Sequence, residues 1–503
     1  MSAGTTARRG PRQDRPPAPR PQPSLARAAA ASPFEARPDV VRRRRSRAGR
    51  ADVLEAAAVL LLVGVLALFL RGGGGSDLVG GGAPGALVAL GRLTGLLGTA
   101  LLLLQLLLAA RLPWVDRTYG QDRALAAHRR LSTIALPLLL AHAAALLVGY
   151  AVLDGLGWTS GWVVELWRLW QGAMPDMVTA SLALAGLVVV AVTSVRAARR
   201  RVRHETWHLV HLLAYAAVVL SVPHQLSTGT DIAGSRPAQG VWLGAYLLTA
   251  GAVVLFRVLL PVARSLRHRL VVERVEDLGD GVVSVVMTGR ALDRLPLRAG
   301  QYLNWRFLTP GLWAAAHPWS VSAAPDGRRV RITVATGLGD HSARLARLRP
   351  GTAVAVEGPY GAFTTERRTR RQVLLVAAGI GVTPVRALLE ELVTGPDHVA
   401  ADVTVLLRVP ASGSAPLRAE VEQLHRRHGF RLLVAAGARA RGSWLPAGAA
   451  HGGDARTLRQ LVPDVRDHDV YVCGPTAWTD LVRRSLERNG VPAAQVHDER
   501  FSW

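Results

Sequence analysis

Four histidines stand inside apolar segments long enough to cross a bilayer, and they come in two spaced pairs. His128 and His142 are fourteen residues apart in AAHRRLSTIALPLLLAHAAALLVGY, and His211 and His224 are thirteen apart in WHLVHLLAYAAVVLSVPHQL. At a helical rise of about 1.5 Å per residue, either spacing spans about 20 Å, most of a bilayer's hydrocarbon thickness. Ionisable residues are costly at that depth and mark function. Two such helices side by side would form two bis-imidazole sites stacked across the membrane, an arrangement able to carry two haems. The plainer alternative is four neutral histidines bonded to neighbouring helices.

Helical phase tests the pairs. Fourteen residues at about 100° each return to within about 40° of the starting face, whereas thirteen overshoot to about 220°. Pro223 directly precedes His224 and can kink or rewind the helix, which rescues the second pair. The rival is a row of His204, His208 and His211 on one helix face, able to bind a metal alone. His208 to His224 matches the first pair less well, and His204 lies among arginines.

These histidines need a scaffold, and the chain of 503 residues supplies it unevenly. Six apolar spans are read at roughly 53–70, 86–110, 131–153, 177–195, 208–226 and 240–263, each near the length that crosses a bilayer. The formal charge of +25 comes wholly from arginine, since the sequence has no lysine. Arginines gather in VRRRRSRAGR, around 111–130, in RAARRRVR and in RSLRHR, while the loops 71–85, 154–176 and 227–239 carry few. This is a positive-inside alternation rather than a nucleic-acid footprint. It sets both termini in the cytoplasm, His128 and His211 near that face, and His142 and His224 near the outer one. Residues 1–50, rich in Pro, Ala, Ser and Arg, read as a disordered cytoplasmic tail. The apolar run starts too late for a cleaved signal peptide. One cysteine, Cys473, excludes an intrachain disulfide and a four-thiolate iron–sulfur cluster.

After about residue 266 the composition changes. RLVVERVEDL, VVSVVM, QYLNWRF, RVRITVAT and AVAVEGPYG are short, β-rich and punctuated by Gly and Pro, the pattern of a small antiparallel barrel. From about 371 the rhythm is strand, turn, helix, as in a parallel doubly wound sheet whose ligands sit at the strands' carboxyl ends. One such end reads AAGIGVTP. Gly379 and Gly381 would let backbone pass close to a pyrophosphate, with free N–H groups of the next helix beside it. Pro384 departs from a full G-x-G-x-x-G. Cys473, Gly474 and Pro475 end a later strand in the same manner.

The ordered set HPWS, GLGDHSARL, GPYG, AGIGVTP, VCGP and ERFSW resembles the ferredoxin–NADP reductase module. Preceded by six spans with paired histidines, it is similar to the ferric reductase and NADPH oxidase superfamily over about 51–503. The resemblance implies a multi-domain chain. A six-helix transmembrane haem domain (51–265) is followed by an antiparallel β-barrel FAD domain (266–370) and an α/β parallel-sheet NAD(P)-binding domain (371–503). It implies that His317, Pro318, Trp319 and Ser320 lie against FAD, with Trp319 packed on the ring system and the Ser320 hydroxyl near N5. Gly339, His341 and Ser342 would hold the flavin pyrophosphate. Gly379, Gly381, Thr383 and Pro384 would seat NADPH or NADH, with Arg408 on its ribose or phosphate and Cys473, Gly474 and Pro475 beside the nicotinamide. Cys473 has no activating base and positions rather than attacks. A terminal aromatic would cover the flavin: Phe501, or Trp503 as the alternate.

The implied activity is a membrane flavocytochrome b-like oxidoreductase in the plasma membrane, with two haem b groups held by His128–His211 and His142–His224. Arg129 and Arg130 would meet haem propionates or simply anchor at the interface. Bis-His iron leaves no free coordination site, so the acceptor is reduced at the haem edge. Ferric chelate, dioxygen giving superoxide, and a quinone or partner protein stay open as acceptors. Leu146 stands where oxidases of the superfamily carry a histidine, which weakens the oxygen reading. A regulatory membrane protein with a decayed reductase, and a haem subunit serving a methionine sulfoxide reductase, are the readings of other classes. Arg408 and the Arg439–Arg441 stretch favour NADPH. Oligomeric state is left open.

Overall fold

The computed structural model describes residues 34–501 except 36, 196–197, 199–203, 396–399 and 412. Six helices are long and apolar enough to cross a membrane: Pro38–Arg71, Gly82–Ala109, Arg123–Leu153, Met177–Ser194, Thr206–Ser227 and Arg236–His268. All six expected spans are helical. The first begins at Pro38, so residues 38–50 belong to it and not to the tail expected over 1–50. Proline at the first turn fits a helix start, because its missing N–H would be unpaired there anyway. Residues 1–33 lie outside the described residues, and with them the rest of that expectation.

Two breaks interrupt the spans. The fifth stops at Leu220 and restarts as Val222–Ser227 with Pro223 in its first turn. The sixth contains a π-helical turn, Leu255–Leu259, which nothing in its composition announces. The second span packs closely along the third because its facing positions are small. A Cβ on Gly91 would meet the Leu146 side chain at 2.8 Å, and one on Gly98 would meet Leu139 at 2.9 Å.

A six-stranded antiparallel sheet follows, of β1 Leu270–Asp277, β2 Val282–Thr288, β3 Tyr302–Phe307, β4 His317–Ser320, β5 Arg329–Ala335 and β6 Ala353–Tyr360, in the order β4-β3-β6-β1-β2-β5. The Val321–Ile332 bridge joins its two edges and closes it into a barrel filled by Trp305, Phe307, Leu303, Met287 and Ile332. Closure removes edges that would otherwise template aggregation.

The last unit is an all-parallel sheet of β7 Gln372–Ala378, β8 Val403–Val409, β9 Arg431–Ala436, β10 His468–Pro475 and β11 Val496–Phe501, ordered β11-β10-β7-β8-β9. β7, β8 and β10 are buried almost throughout, as a sheet covered on both faces requires. The chain runs outward from β7 to β9 and returns beside β7 as β10. The topological switch point therefore lies between β7 and β10, where open α/β sheets bind ligands.

Candidate active site and metal centre

The histidines of the third span are oriented by the second. His128 Nδ1 donates to the Gln105 carbonyl at 2.9 Å and His142 Nδ1 to the Gly91 carbonyl at 2.8 Å. His142 lies fourteen residues after His128 and Gly91 fourteen before Gln105, as antiparallel packing demands. A carbonyl only accepts, so Nδ1 carries the proton and Nε2 keeps its lone pair. Metal-ligating histidines are fixed in this way by their other ring nitrogen. Gly95 makes room: a Cβ there would lie 2.4 Å from His142 Nδ1.

Opposite, the His211 ring centre lies 6.4 Å from that of His128. Two imidazoles sharing one metal through bonds of about 2 Å have ring centres about 6 Å apart. Trp207, one turn earlier, stacks on His211 at 5.0 Å, and Ser194 Oγ lies 3.5 Å from His211 Nδ1. At the other end, His224 sits after the break in the fifth span, within electrostatic reach of His142. Its Nδ1 is buried without a hydrogen-bond partner. The His128–His211 pair fits bis-imidazole ligation of a haem, and the buried, unpaired imidazole of His224 near His142 is a donor set of the same kind. Among the described residues no group of three or more His, Cys, Asp or Glu forms a metal site, and the His204 side chain lies outside them.

The reductase residues converge where barrel meets sheet. In β4, His317 stacks on Trp319 at 5.4 Å between ring centres, and His341 closes on His317 at 3.7 Å. Pro318 is exposed between them. Gly339 has φ +136, a conformation reserved for glycine, and opens the helix Asp340–Leu345, where Ser342 Oγ donates to the Thr336 and Gly339 carbonyls. Trp319 and Ser320 are buried, and Ser320 Oγ donates to Glu499 Oε1 at 3.3 Å. Glu499 is a buried carboxylate in β11, directly beside Cys473 in the β10–β11 register. Sequence reasoning passed over it, because ERFSW was read only for its aromatics. A charged residue at the last inward position of a terminal strand was the available signal. The ring cluster, the Gly339 turn and the hydroxyl–carboxylate pair fit a flavin nucleotide.

At the switch point two turns touch. A Cβ on Gly381 would lie 2.4 Å from the Cys473 carbonyl oxygen, and one on Gly474 would lie 2.7 Å from the Trp478 ring. Gly379 takes φ +56. Thr383 Oγ1 donates to the Ile380 carbonyl at 2.9 Å, and buried Pro384 follows in the first turn of the helix Val382–Thr394. Pro475 ends β10 opposite Phe501. Cys473 is fully buried, and burial, followed by Glu499 and Asp498, pushes its thiol well above the usual range. Arg408 lies within β8 rather than after it. Its guanidinium donates to the Gly437 carbonyl at 2.8 Å and the Ala435 carbonyl at 3.2 Å, beside the loop carrying Arg439 and Arg441. The Phe501 side chain and Trp503 lie outside the described residues.

Fold and site together define a class: a multi-pass membrane bundle with internal paired histidines, joined to a barrel-plus-parallel-sheet module. The ferric reductase like transmembrane component family matches residues 94–222, and the oxidoreductase NAD-binding domain family matches residues 375–484. Ferredoxin–NADP reductase B of Sorangium cellulosum (strain So ce56) is 30% identical over 211 residues, covering 41% of this chain and 84% of that protein. Through this half the chain belongs to the ferredoxin–NADP reductase family, fused here to a ferric reductase-like membrane domain. A flavohemoprotein of Xylella fastidiosa (strain 9a5c) is 28% identical over 211 residues, covering 41% of this chain and 51% of that protein. The chain thus spans about half the length of several curated relatives it matches. A solved structure, the flavohem-like FAD/NAD binding domain of nitric oxide dioxygenase from Vibrio cholerae O1 biovar El Tor, is 26% identical. It covers 47% of this chain and 99% of that chain, with a TM-score of 0.39.

Proposed function

We propose that this protein moves electrons from cytoplasmic NAD(P)H through FAD and two bis-His haems to an acceptor on the far side of the plasma membrane. The observation that carries the reading is the pair of imidazoles at 6.4 Å, each set by a partner on a neighbouring span or turn, in a chain that also has the reductase module. A flavin bound at the reductase site would supply the change from hydride to single-electron transfer, and haem held by the paired histidines would supply the redox centres within the membrane bundle.

The chain's own groups do the placing. Gly379 and Gly381 let the nucleotide's phosphates approach backbone N–H groups at the helix start, and Thr383 and Pro384 fix that turn. Cys473, buried and un-ionised, offers a small apolar wall beside the nicotinamide, with Gly474 and Pro475 setting its turn. Ser320, its hydroxyl held by a hydrogen bond to Glu499, would stand at the flavin edge that receives hydride. His317, Trp319 and His341 supply the flat surface, Gly339 and Ser342 the phosphate turn, and Phe501 or Trp503 the cover. His128 and His211 would hold the inner haem, and His142 and His224 the outer one. The arginine distribution supports a cytoplasmic position for both termini and the reductase module.

Ferric chelate is favoured over dioxygen as acceptor. Leu146, one turn beyond His142, packs toward Gly91 and brings no proton donor to the outer site. Arg408, Arg439 and Arg441 favour NADPH over NADH.

The test is an anaerobic visible spectrum of the purified chain with FAD, before and after NADPH. Flavin bleaching with a shift of the haem Soret and α bands is expected. Bands that answer dithionite but not NADPH would defeat the nucleotide half, and absence of haem bands would defeat the whole.

A further inference from the structure

A chamber of about 670 Å³ lies where the first helix, the end of the sixth span and the barrel meet. Nine arginines and two acidic residues line it. Several of those arginines are already engaged. Arg43 pairs with Asp39 at 2.8 Å, Arg298 with Glu366 at 2.8 Å and Arg111 with Glu357 at 3.3 Å. Arg47 and Arg50 are half-buried and close no ion pair among the described residues, although Asp469 acts on Arg47 from a distance, and Arg50 Nε is buried without any hydrogen bond. Positions 43, 47 and 50 fall on one face of a helix, so this face turns three guanidiniums toward the chamber.

The surroundings compensate them only in part, through Asp116 on the chamber wall near Arg367 and Asp469 acting on Arg47. Arg367, across the chamber, donates to the carbonyls of Arg117 and Thr118, both at 3.1 Å. Burial, then the charges of Arg47 and Arg123, pull its guanidinium down to about 10. Like charges held together out of water call for an anion. None of His317, Trp319, His341 or Ser342 lines the chamber, so it is separate from the flavin surface described above. Phe256 and Leu260 of the sixth span form an apolar side wall, on the flank where a bilayer's acyl chains would run.

We propose that this chamber binds a phosphate group, held bidentately by Arg47 and Arg50, at the junction of the membrane bundle and the reductase module. Arginine forks match phosphate oxygens two at a time, which an ammonium does not. The bound phosphate ties the first helix to the barrel. It comes either from an anionic lipid headgroup or from a free phosphate, and the assignment is independent of the electron-transfer reading.

The test is native mass spectrometry of the full-length, FAD-loaded protein in detergent, titrated with dioctanoyl phosphatidylglycerol, dioctanoyl phosphatidylcholine or inorganic pyrophosphate. One tightly retained phosphatidylglycerol per chain, not competed by pyrophosphate, assigns a lipid headgroup. Retained pyrophosphate that displaces the lipid assigns a free phosphate. In either case R47Q and R50Q each weaken binding roughly tenfold, the loss of one charge-assisted contact, while R426Q on an exposed helix of the reductase does not. Should R47Q/R50Q fold poorly by circular dichroism, R47K/R50K tests the fork with the charge retained and still binds more weakly. Equal retention of phosphatidylcholine and phosphatidylglycerol, or displacement of the ligand by excess FAD, overturns the proposal.

Discussion

At the scale of single residues, the reductase site turns on groups that keep or give up a proton. Ser320 bonded to Glu499 is a hydroxyl aimed by a buried carboxylate, and general acid–base or positioning groups of this kind contribute about 10²-fold or more. Ser320→Ala is expected to lower flavin reduction by NADPH by about that factor with little change in nucleotide affinity, read by anaerobic stopped flow. Equal losses in rate and affinity would mean that the residue only shapes the pocket. Cys473 gives a pH prediction. Its folded thiol titrates above the ordinary value of 9.0, because burial and two acidic neighbours oppose the thiolate. The folded state therefore holds a proton that the unfolded chain releases, and the resulting stability is full below about pH 9 and lost as pH rises past it. Thermal unfolding of the protein should fall between about pH 9 and 10, and Cys473→Ala should flatten that fall. Glu499 was hidden at this scale because its role depends on β11 lying beside β10, a pairing that follows a long helical excursion.

At the scale of elements, close approach is what the glycines permit. Gly95→Ala would thrust a methyl group against His142, and overpacking of this size costs about 1–3 kcal/mol or displaces the neighbour. The expected result is loss of one haem equivalent by pyridine haemochrome with FAD content unchanged; two retained haems would remove His142 from the ligand set. Gly381→Ala should likewise separate the turns after β7 and at the end of β10 and raise the Michaelis constant for NADPH, leaving haem content intact. Much of this was legible beforehand. Histidine spacing, span number, barrel and parallel sheet follow from periodicity and punctuation, which are local. The break in the fifth span just before His224 was legible because proline declares itself. The π turn at Leu255–Leu259 was not, since its residues are ordinary helix formers. The helical state of 38–50 was hidden by an arginine run that composition reads as tail, although it continues into the first span.

At the scale of the whole molecule, the proposed transfer between the two halves requires them to be held in one geometry, and one carboxylate at their junction ties them together. Glu357 of β6 meets Arg257 from the π turn of the sixth span and Arg111 from the segment after the second span, the latter at 3.3 Å. Its other contacts stay within the barrel: Asn304 at 3.2 Å and the Tyr360 hydroxyl at 3.1 Å. Tyr360, pushed up to about 12 by burial and then by Glu357, keeps its proton throughout and so remains a donor to that carboxylate. Neutralising Glu357 removes the charge that both arginines face while leaving the barrel's hydrophobic core untouched. The junction should loosen without either half unfolding. Displacements of about 1 Å cost on the order of 10²-fold where reacting groups must be aligned. Glu357→Gln is therefore expected to slow haem reduction by NADPH about 10- to 100-fold while NADPH-dependent reduction of ferricyanide, taken directly from the flavin, stays near the wild-type rate. If both rates fell together, Glu357 would belong to the flavin site and not to the junction. If neither changed, the arginines would be holding the halves together through other partners.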